Sequence, residues 1–143
     1  MRRYFAYGSN MDAEQMSQPD RAPNAEKVET AKLAGYEFFI NERGVANIRK
    51  KGERSVFGIV FNISDEDEKT LNVCEGVQHG TNIQEHLSSL DAFCYVAANT
   101  TESYTPRDGY LEKIVKAARD NDFPPEYIAE LEGWFSKQTS PSS

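Results

Sequence analysis

Apolar residues come in short bursts along this chain, and the spacing inside each burst predicts its element. Tyr4-Phe5-Ala6-Tyr7 is a compact aromatic run closed by Gly8-Ser9-Asn10, the pattern of a buried strand ending in a tight loop. Asn10 is placed to cap a short helix over Met11 to Met16, with Asp12 and Glu14 at the positive end of its dipole. Residues 17–30 are polar with two prolines and read as a surface connection. Strand-like segments follow at Ala31–Ile40, around Gly44–Ile48 and at Ser55–Ile63. The last is almost continuously β-branched or aromatic, as a strand buried on both faces is. Between them Arg49–Arg54 carries five charges around one glycine and reads as a solvated hairpin tip.

Ser64-Asp65-Glu66-Asp67 is a helix start, with Ser64 as cap and acids where unpaired N–H groups favour negative charge. That helix runs through Leu71 and Val73 and should stop near Gly76. Residues 78–91 fit a helix and a strand about equally, and Ala92–Ala98 returns to a buried strand. Tyr110, Leu111, Ile114, Val115 and Ala118 then recur at helical spacing. A second helix starts at Pro124-Pro125 and carries Tyr127, Ile128, Leu131, Trp134 and Phe135 on one face. No internal repeat or linker splits the chain. The expectation is one α+β domain over residues 1–137, followed by a frayed tail at 138–143.

Charge narrows the function classes. The chain has 143 residues, with 16 Lys and Arg against 23 Asp and Glu, a net charge of −7. A nucleic-acid binder needs clustered cations to replace counterions on phosphate, and a polybasic membrane-surface protein needs the same. Neither partner is expected. Apolar runs are too short for a transmembrane span or a signal peptide, so the expected location is cytoplasmic. Cys74 and Cys94 read as two buried thiols, with a pairing between them left open. His79 and His86 lack any recognisable ligand spacing with them, so no metal is expected.

Two places suit chemistry. At Tyr7-Gly8-Ser9-Asn10 a glycine at a strand-to-helix turn lets the backbone approach a ligand, although the same residues also make an ordinary turn. At Cys74-Glu75-Gly76 a carboxylate sits at a helix C-terminus, where the dipole and burial both raise its pKa and suit it to proton transfer. The plain alternative is one more solvated acid. Cys74 as a nucleophile, with His79 or His86 as base, is a rival to Glu75.

YFAYGSNM, the hydrophobic strand SVFGIVF and the L-x-x-x-EGV stretch from Leu71 to Val77 resemble, in that order, the γ-glutamylcyclotransferase family. YLEKIVKAARDNDFPPEYIAEL is similar to that family's closing helices. The resemblance implies a small mixed β-barrel flanked by helices. It implies that Tyr4, Phe5, Ala6, Tyr7, Gly8, Ser9 and Asn10 form the loop that holds a γ-glutamyl group. It also implies that Glu75 is the general acid/base and Tyr110 a ligand contact. Gly80-Thr81-Asn82 departs from the family, which usually has an aromatic residue there, and RKKGERS replaces a less charged loop.

The implied reaction is an intramolecular aminolysis, an acyl-transfer ring closure. The substrate's α-amine attacks its own γ-amide, closing 5-oxoproline and expelling an amine. The substrate supplies the nucleophile, so no cofactor is expected, and the partner is a small molecule. The leaving amine is open between an amino acid, a peptide such as glutathione, a polyamine, the ε-amine of lysine and an acyl-carrier conjugate. A homodimer is also left open. The alternative from a different class is a non-catalytic small-molecule or partner-binding domain of the same fold.

Overall fold

A computed structural model describes residues 1–103 and 105–139, with side chains described through Phe135. Its five strands are β1 (Arg2–Ala6), β2 (Glu26–Ile40), β3 (Ala46–Ile63), β4 (Asn82–Leu87) and β5 (Ala92–Ala97). The helices are α1 (Ala13–Met16), α2 (Asp65–Cys74), α3 (Tyr110–Asp120) and α4 (Pro125–Thr139). The strands form one sheet in the order β2-β3-β1-β5-β4. Only β1 and β5 run parallel, through Tyr4 opposite Phe93; the other pairs are antiparallel. The architecture is α+β.

β2 and β3 make one long hairpin that departs from the sequence expectation. The turn is Asn41–Val45, where Asn41 Oδ1 accepts from the N–H groups of Arg43 (3.0 Å) and Val45 (3.3 Å). Gly44 supplies a φ of +76° there. Arg49–Arg54 is therefore not a hairpin tip but lies inside β3. Ala34 pairs with Ser55 and Tyr36 with Lys50, so residues 51–54 bulge against Gly35, whose φ is +85°. Exposure explains the polarity of this run, and polarity does not stop a backbone from staying in its ladder. Arg49 bonds Glu37 (2.6 Å) and Glu102 (2.9 Å), with its guanidinium 4.4 Å from the Phe39 ring centroid. For the same reason the polar stretch read as a connection contains the first residues of β2, whose side chains face water.

The sheet stays open, so barrel describes it only loosely. The end of the long hairpin nevertheless curls over the exit of β5, held by side-chain amides and a single antiparallel bridge between Asn41 and Glu102 rather than a ladder. Asn47 Nδ2 donates to the carbonyls of Ala97 (3.1 Å) and Asn99 (3.0 Å), and its Oδ1 accepts from Ala97 N–H at 3.1 Å. Asn41 Nδ2 donates to Asn99 O at 3.1 Å, and Ser103 N–H donates to Ile40 O at 2.7 Å. Asn41 and Asn47 are wholly buried, which is tolerable because their amides are paired.

Two helix ends place the site. Ser64 Oγ accepts from Asp67 N–H at 3.1 Å and starts α2. Gly76, at φ +68°, ends it and leaves Glu75 as the last αR residue. Asn10, by contrast, does not cap α1. A short 3₁₀ turn over Ser9–Met11 comes first, and Asp12 takes the capping bond from Gln15 N–H at 3.0 Å. The Asn10 amide is used inward instead.

Residues 77–79 form a 3₁₀ turn, and β4 is the edge strand that settles the ambiguous stretch. α3 buries Leu111, Ile114, Val115, Ala117 and Ala118, and α4 covers the core with Tyr127, Leu131 and Trp134. α4 extends to Thr139, two residues into the tail read as frayed; residues 140–143 lie outside those described. Among the described residues no helix is long and apolar enough to cross a membrane.

Candidate active site

β1 carries its aromatic run into the core and ends against a cavity of about 400 Å³. The glycine loop, the end of α2, the β2–β3 turn and the start of α3 converge on this cavity. Tyr4, Tyr7, Gly8, Ser9, Asn10, Glu75 and Tyr110, named from sequence alone, line it together. Phe5 and Ala6 do not. Phe5 is wholly buried and packs where Gly58 leaves room, and Ala6 adds only a buried methyl beside it.

Asn10 organises the polar wall. Its Nδ2 donates to Tyr4 Oη at 3.0 Å and to Glu75 Oε1 at 3.4 Å, which uses both of its protons. Its Oδ1 accepts from Gln15 Nε2 at 2.9 Å, and Gln15 also reaches Ser9 Oγ at 2.8 Å. Lys113 of α3 donates to Gln15 Oε1 at 3.1 Å. The loop is thus braced from two helices.

Asn82 Nδ2 donates to the second oxygen, Glu75 Oε2, in tight contact. The residue that departs from the family pattern therefore holds the candidate carboxylate directly. Its own Oδ1 is buried without a partner among the described residues. Burial raises the pKa of Glu75, while the Asn82 bond, the charges of Arg21 and Arg43, and the Asn10 bond pull it back.

The tyrosine hydroxyls differ in what they can offer. Tyr7 Oη donates to Tyr95 O at 2.6 Å, so its proton is committed to β5. Tyr110 Oη accepts from Ala46 N–H at 3.0 Å and keeps its own proton to give. Burial pushes its pKa up to about 12, so it stays a neutral donor. A β-carbon at position 8 would stand 3.2 Å from this hydroxyl, which makes Gly8 the residue that admits it.

Cys74 is exposed rather than buried, because it ends α2 at the cavity rim, and its Sγ takes a contact from Arg21 Nη1. Cys94 is buried in β5 and both thiols are free. Neither histidine lines the cavity, so the thiol has no imidazole beside it there. Among the described residues no three His, Cys, Asp or Glu side chains gather as metal ligands do.

A family model described as the AIG2-like family matches residues 55–131, more than half of the chain. The chain belongs to the AIG2-like family. It is similar to the γ-glutamylcyclotransferases of Mus musculus and Bos taurus, each 27% identical over 145 residues, 90% of this chain and 76% of the relative. It superposes on a solved γ-glutamyl cyclotransferase with a TM-score of 0.78 at 23% identity, covering 92% of this chain and 86% of that one. YkqA from Bacillus subtilis gives a TM-score of 0.80 at 23% identity, covering 99% of this chain and 56% of the other. Those two structures carry the fold.

In this family member, sequence reasoning missed Gln15, Arg21, Arg43 and Arg107, all of which line the cavity. Gln15 lies in the short helix predicted after the loop, and the break at Asp12 between the 3₁₀ turn and α1 lets its amide reach back to Ser9 and Asn10. The arginines come from separate loops, and only the folded hairpin brings them to the site.

Proposed function

We propose that this AIG2-like protein is a γ-glutamylcyclotransferase-type enzyme. It would close the α-amine of a γ-glutamyl amide onto its own γ-carbonyl, releasing 5-oxoproline and a free amine or amino acid. One observation carries the reading: Glu75, buried enough for its pKa to rise, is bonded by Asn10 of the glycine loop in a shared cavity.

In this mechanism Glu75 takes a proton from the substrate ammonium, whose reference pKa near 8 leaves it mostly charged at neutral pH. The freed amine attacks the γ-carbonyl carbon, and the new C–N bond closes the ring. The bond to the leaving nitrogen breaks as Glu75 returns the proton to it, and the surplus proton on the ring nitrogen then follows through the same carboxylate, so that the product amine departs as an ammonium. A carboxyl whose pKa has moved up toward neutrality serves both transfers better than an ordinary one. The N–H groups of Gly8, Ser9 and Asn10 would stabilise the oxyanion, and Tyr110 would donate to the substrate α-carboxylate. Holding the flexible γ-glutamyl chain in a near-attack shape draws on an orientation term of up to roughly 7–11 kcal/mol.

Glu75→Gln tests the reading. The variant should fold, bind γ-glutamyl compounds and lose about 10²–10⁴-fold in 5-oxoproline release. Undiminished turnover would remove Glu75 from the mechanism.

A further inference from the structure

The hydrogen bonds behind Glu75 all run in one direction. Lys113 Nζ donates to Gln15 Oε1 at 3.1 Å, Gln15 Nε2 to Asn10 Oδ1 at 2.9 Å, and Asn10 Nδ2 to Glu75 Oε1 at 3.4 Å. Gln15 spends its second proton on Ser9 Oγ at 2.8 Å, and Asn10 spends its second on Tyr4 Oη at 3.0 Å. This chain of donors starts at an exposed lysine of α3 and ends on a carboxylate in the cavity.

Its direction follows from its two ends. An ammonium group has three donors and no acceptor, so the oxygen of the Gln15 amide has to face Lys113. That turns the Gln15 NH₂ group toward the loop, where the Asn10 oxygen has to meet it and the Asn10 NH₂ group is left for Glu75. Lys113 is in no ion pair among the described residues, so no carboxylate competes with Gln15 for it. The hydroxyls of Ser9 and Tyr4 can rotate to suit either sense of the amides, whereas a charged carboxylate only accepts. Asn82, on the other oxygen of Glu75, has no such anchor: its Oδ1 is buried without a partner among the described residues.

We infer that Lys113 is a positioning residue for Glu75, acting through Gln15 to hold the Asn10 amide with Nδ2, and not Oδ1, toward the carboxylate. Its bearing on catalysis rests on the cyclotransferase reading; the orientation itself does not. An acceptor in place of Lys113 would reverse both amides and aim Asn10 Oδ1 at Glu75. The protonated carboxyl, which alone can donate to that oxygen, would then be favoured. Arg21 and Arg43 also face Glu75 with their charges, and the phenols of Tyr4, Tyr7, Tyr95 and Tyr110 surround it. Arg107 and Cys74 complete the titratable lining of the cavity. Among the described residues none of these groups is hydrogen-bonded to Lys113 or Gln15.

The test follows the Glu75 carboxyl by carbon-13 NMR in protein labelled at the glutamate side-chain carboxyl, its resonance identified by its loss in Glu75→Gln. Lys113→Glu should raise the titration midpoint by about one pH unit, the scale of one hydrogen bond to a charged group. Lys113→Met removes the donor without supplying an acceptor and should raise it by less, and Lys113→Arg should keep the wild-type value. Loss of positive charge acting through space would also raise the midpoint, but that effect fades in salt and needs no Gln15. The Lys113→Glu shift should therefore persist in about 1 M salt, where the screening length is roughly 3 Å, and should largely vanish in a Gln15→Met background. A midpoint unmoved in Lys113→Glu, a shift abolished by salt, or an equal shift without Gln15 would overturn the inference. Lys113 is exposed, so the glutamate, methionine, arginine and salt comparisons decide the matter even where Gln15→Met does not fold. The acid limb of 5-oxoproline release should move with the NMR midpoint. If the shifts appear as stated while no γ-glutamyl compound yields 5-oxoproline, the cyclotransferase reading fails and the positioning of Glu75 by Lys113 stands.

Discussion

Asn10 Nδ2 donates to Glu75 Oε1 at 3.4 Å across 65 positions of sequence, tying the glycine loop after β1 to the carboxylate that ends α2. Asn82 holds the other oxygen of the same carboxylate from the start of β4. Glu75 is therefore fixed by two neutral amides, not by an ion pair. Each amide favours the charged carboxylate while burial favours the neutral one, and burial is the larger effect. That balance suits a group which has to carry a proton in one step and lack it in another.

Removing the Asn82 donor should move this balance in a known direction. In Asn82→Ala the carboxylate loses a bond that stabilises its charged form, so the Glu75 pKa rises further. A base must be deprotonated to act, so the acid limb of the kcat/KM profile should shift to higher pH. Asn10→Ala should shift it the same way and by less, in keeping with the order of the two effects. The pH dependence of 5-oxoproline release by the three proteins checks this. A limb that stays in place would show that the Asn82 bond does not control the titration.

The same raised pKa has a consequence for stability. A carboxyl whose folded pKa lies above its unfolded one binds more protons when folded, so stability falls as pH rises through the interval between the two values. Glu75→Gln removes that loss. The variant should match the wild type at low pH, where both forms are neutral, and become the more stable of the two as pH approaches neutrality. The substitution fits because Asn82 Oδ1 lacks a partner, so a flipped Asn82 amide can accept from the new glutamine. Thermal unfolding of both proteins across pH measures the difference, and a variant less stable at neutral pH would contradict it.

Much of this site was legible in the sequence because local chemistry encodes it. Gly8 after an aromatic strand, Ser64 before three acids and Gly76 after α2 are short-range signals, and each element end lies where they put it. Arg49–Arg54 misled because charge reports exposure, whereas Asn41 and Gly44, which do make the turn, carry their signal in one amide and one positive φ. Phe5 and Tyr7 look alike within a four-residue run, yet one fills the core and the other borders the cavity. Arg43 and Arg107 are farther still from any local pattern. Their meeting depends on a hairpin end folding back onto the exit of β5, which no window of sequence contains.

That fold-back should depend on Asn47. Asn47→Ala would strip both hydrogen bonds from the buried Ala97 backbone and one from Asn99, whose carbonyl keeps its bond from Asn41. Each buried group left without a partner costs about 1–3 kcal/mol. The variant should lose a few kcal/mol of stability in urea unfolding. It should also raise KM before it lowers kcat, because Arg43 and Ala46 move with the hairpin end while Glu75 stays on α2. Loss of stability without any change in KM would separate this closure from the site.

Gly58 links the core to the loop. A β-carbon at this position would collide with Ala6 O and stand 2.7 Å from the Phe5 ring. Neither neighbour can yield easily, since Phe5 is wholly buried and Ala6 is paired with Ile59 in the ladder. Overpacking of this kind costs about 1–3 kcal/mol, and each kcal/mol lowers Tm by roughly 2–4 °C in a domain near this size. Relief by displacement of β1 would carry Gly8 and Asn10 with it, because the loop follows Ala6 directly. Gly58→Ala should therefore lower both Tm and 5-oxoproline release. A larger residue in the Phe5 position would worsen the clash, whereas adding Phe5→Leu to Gly58→Ala should recover part of both losses. A double variant no better than Gly58→Ala alone would show that the strain lies in the Ala6 carbonyl rather than in the ring.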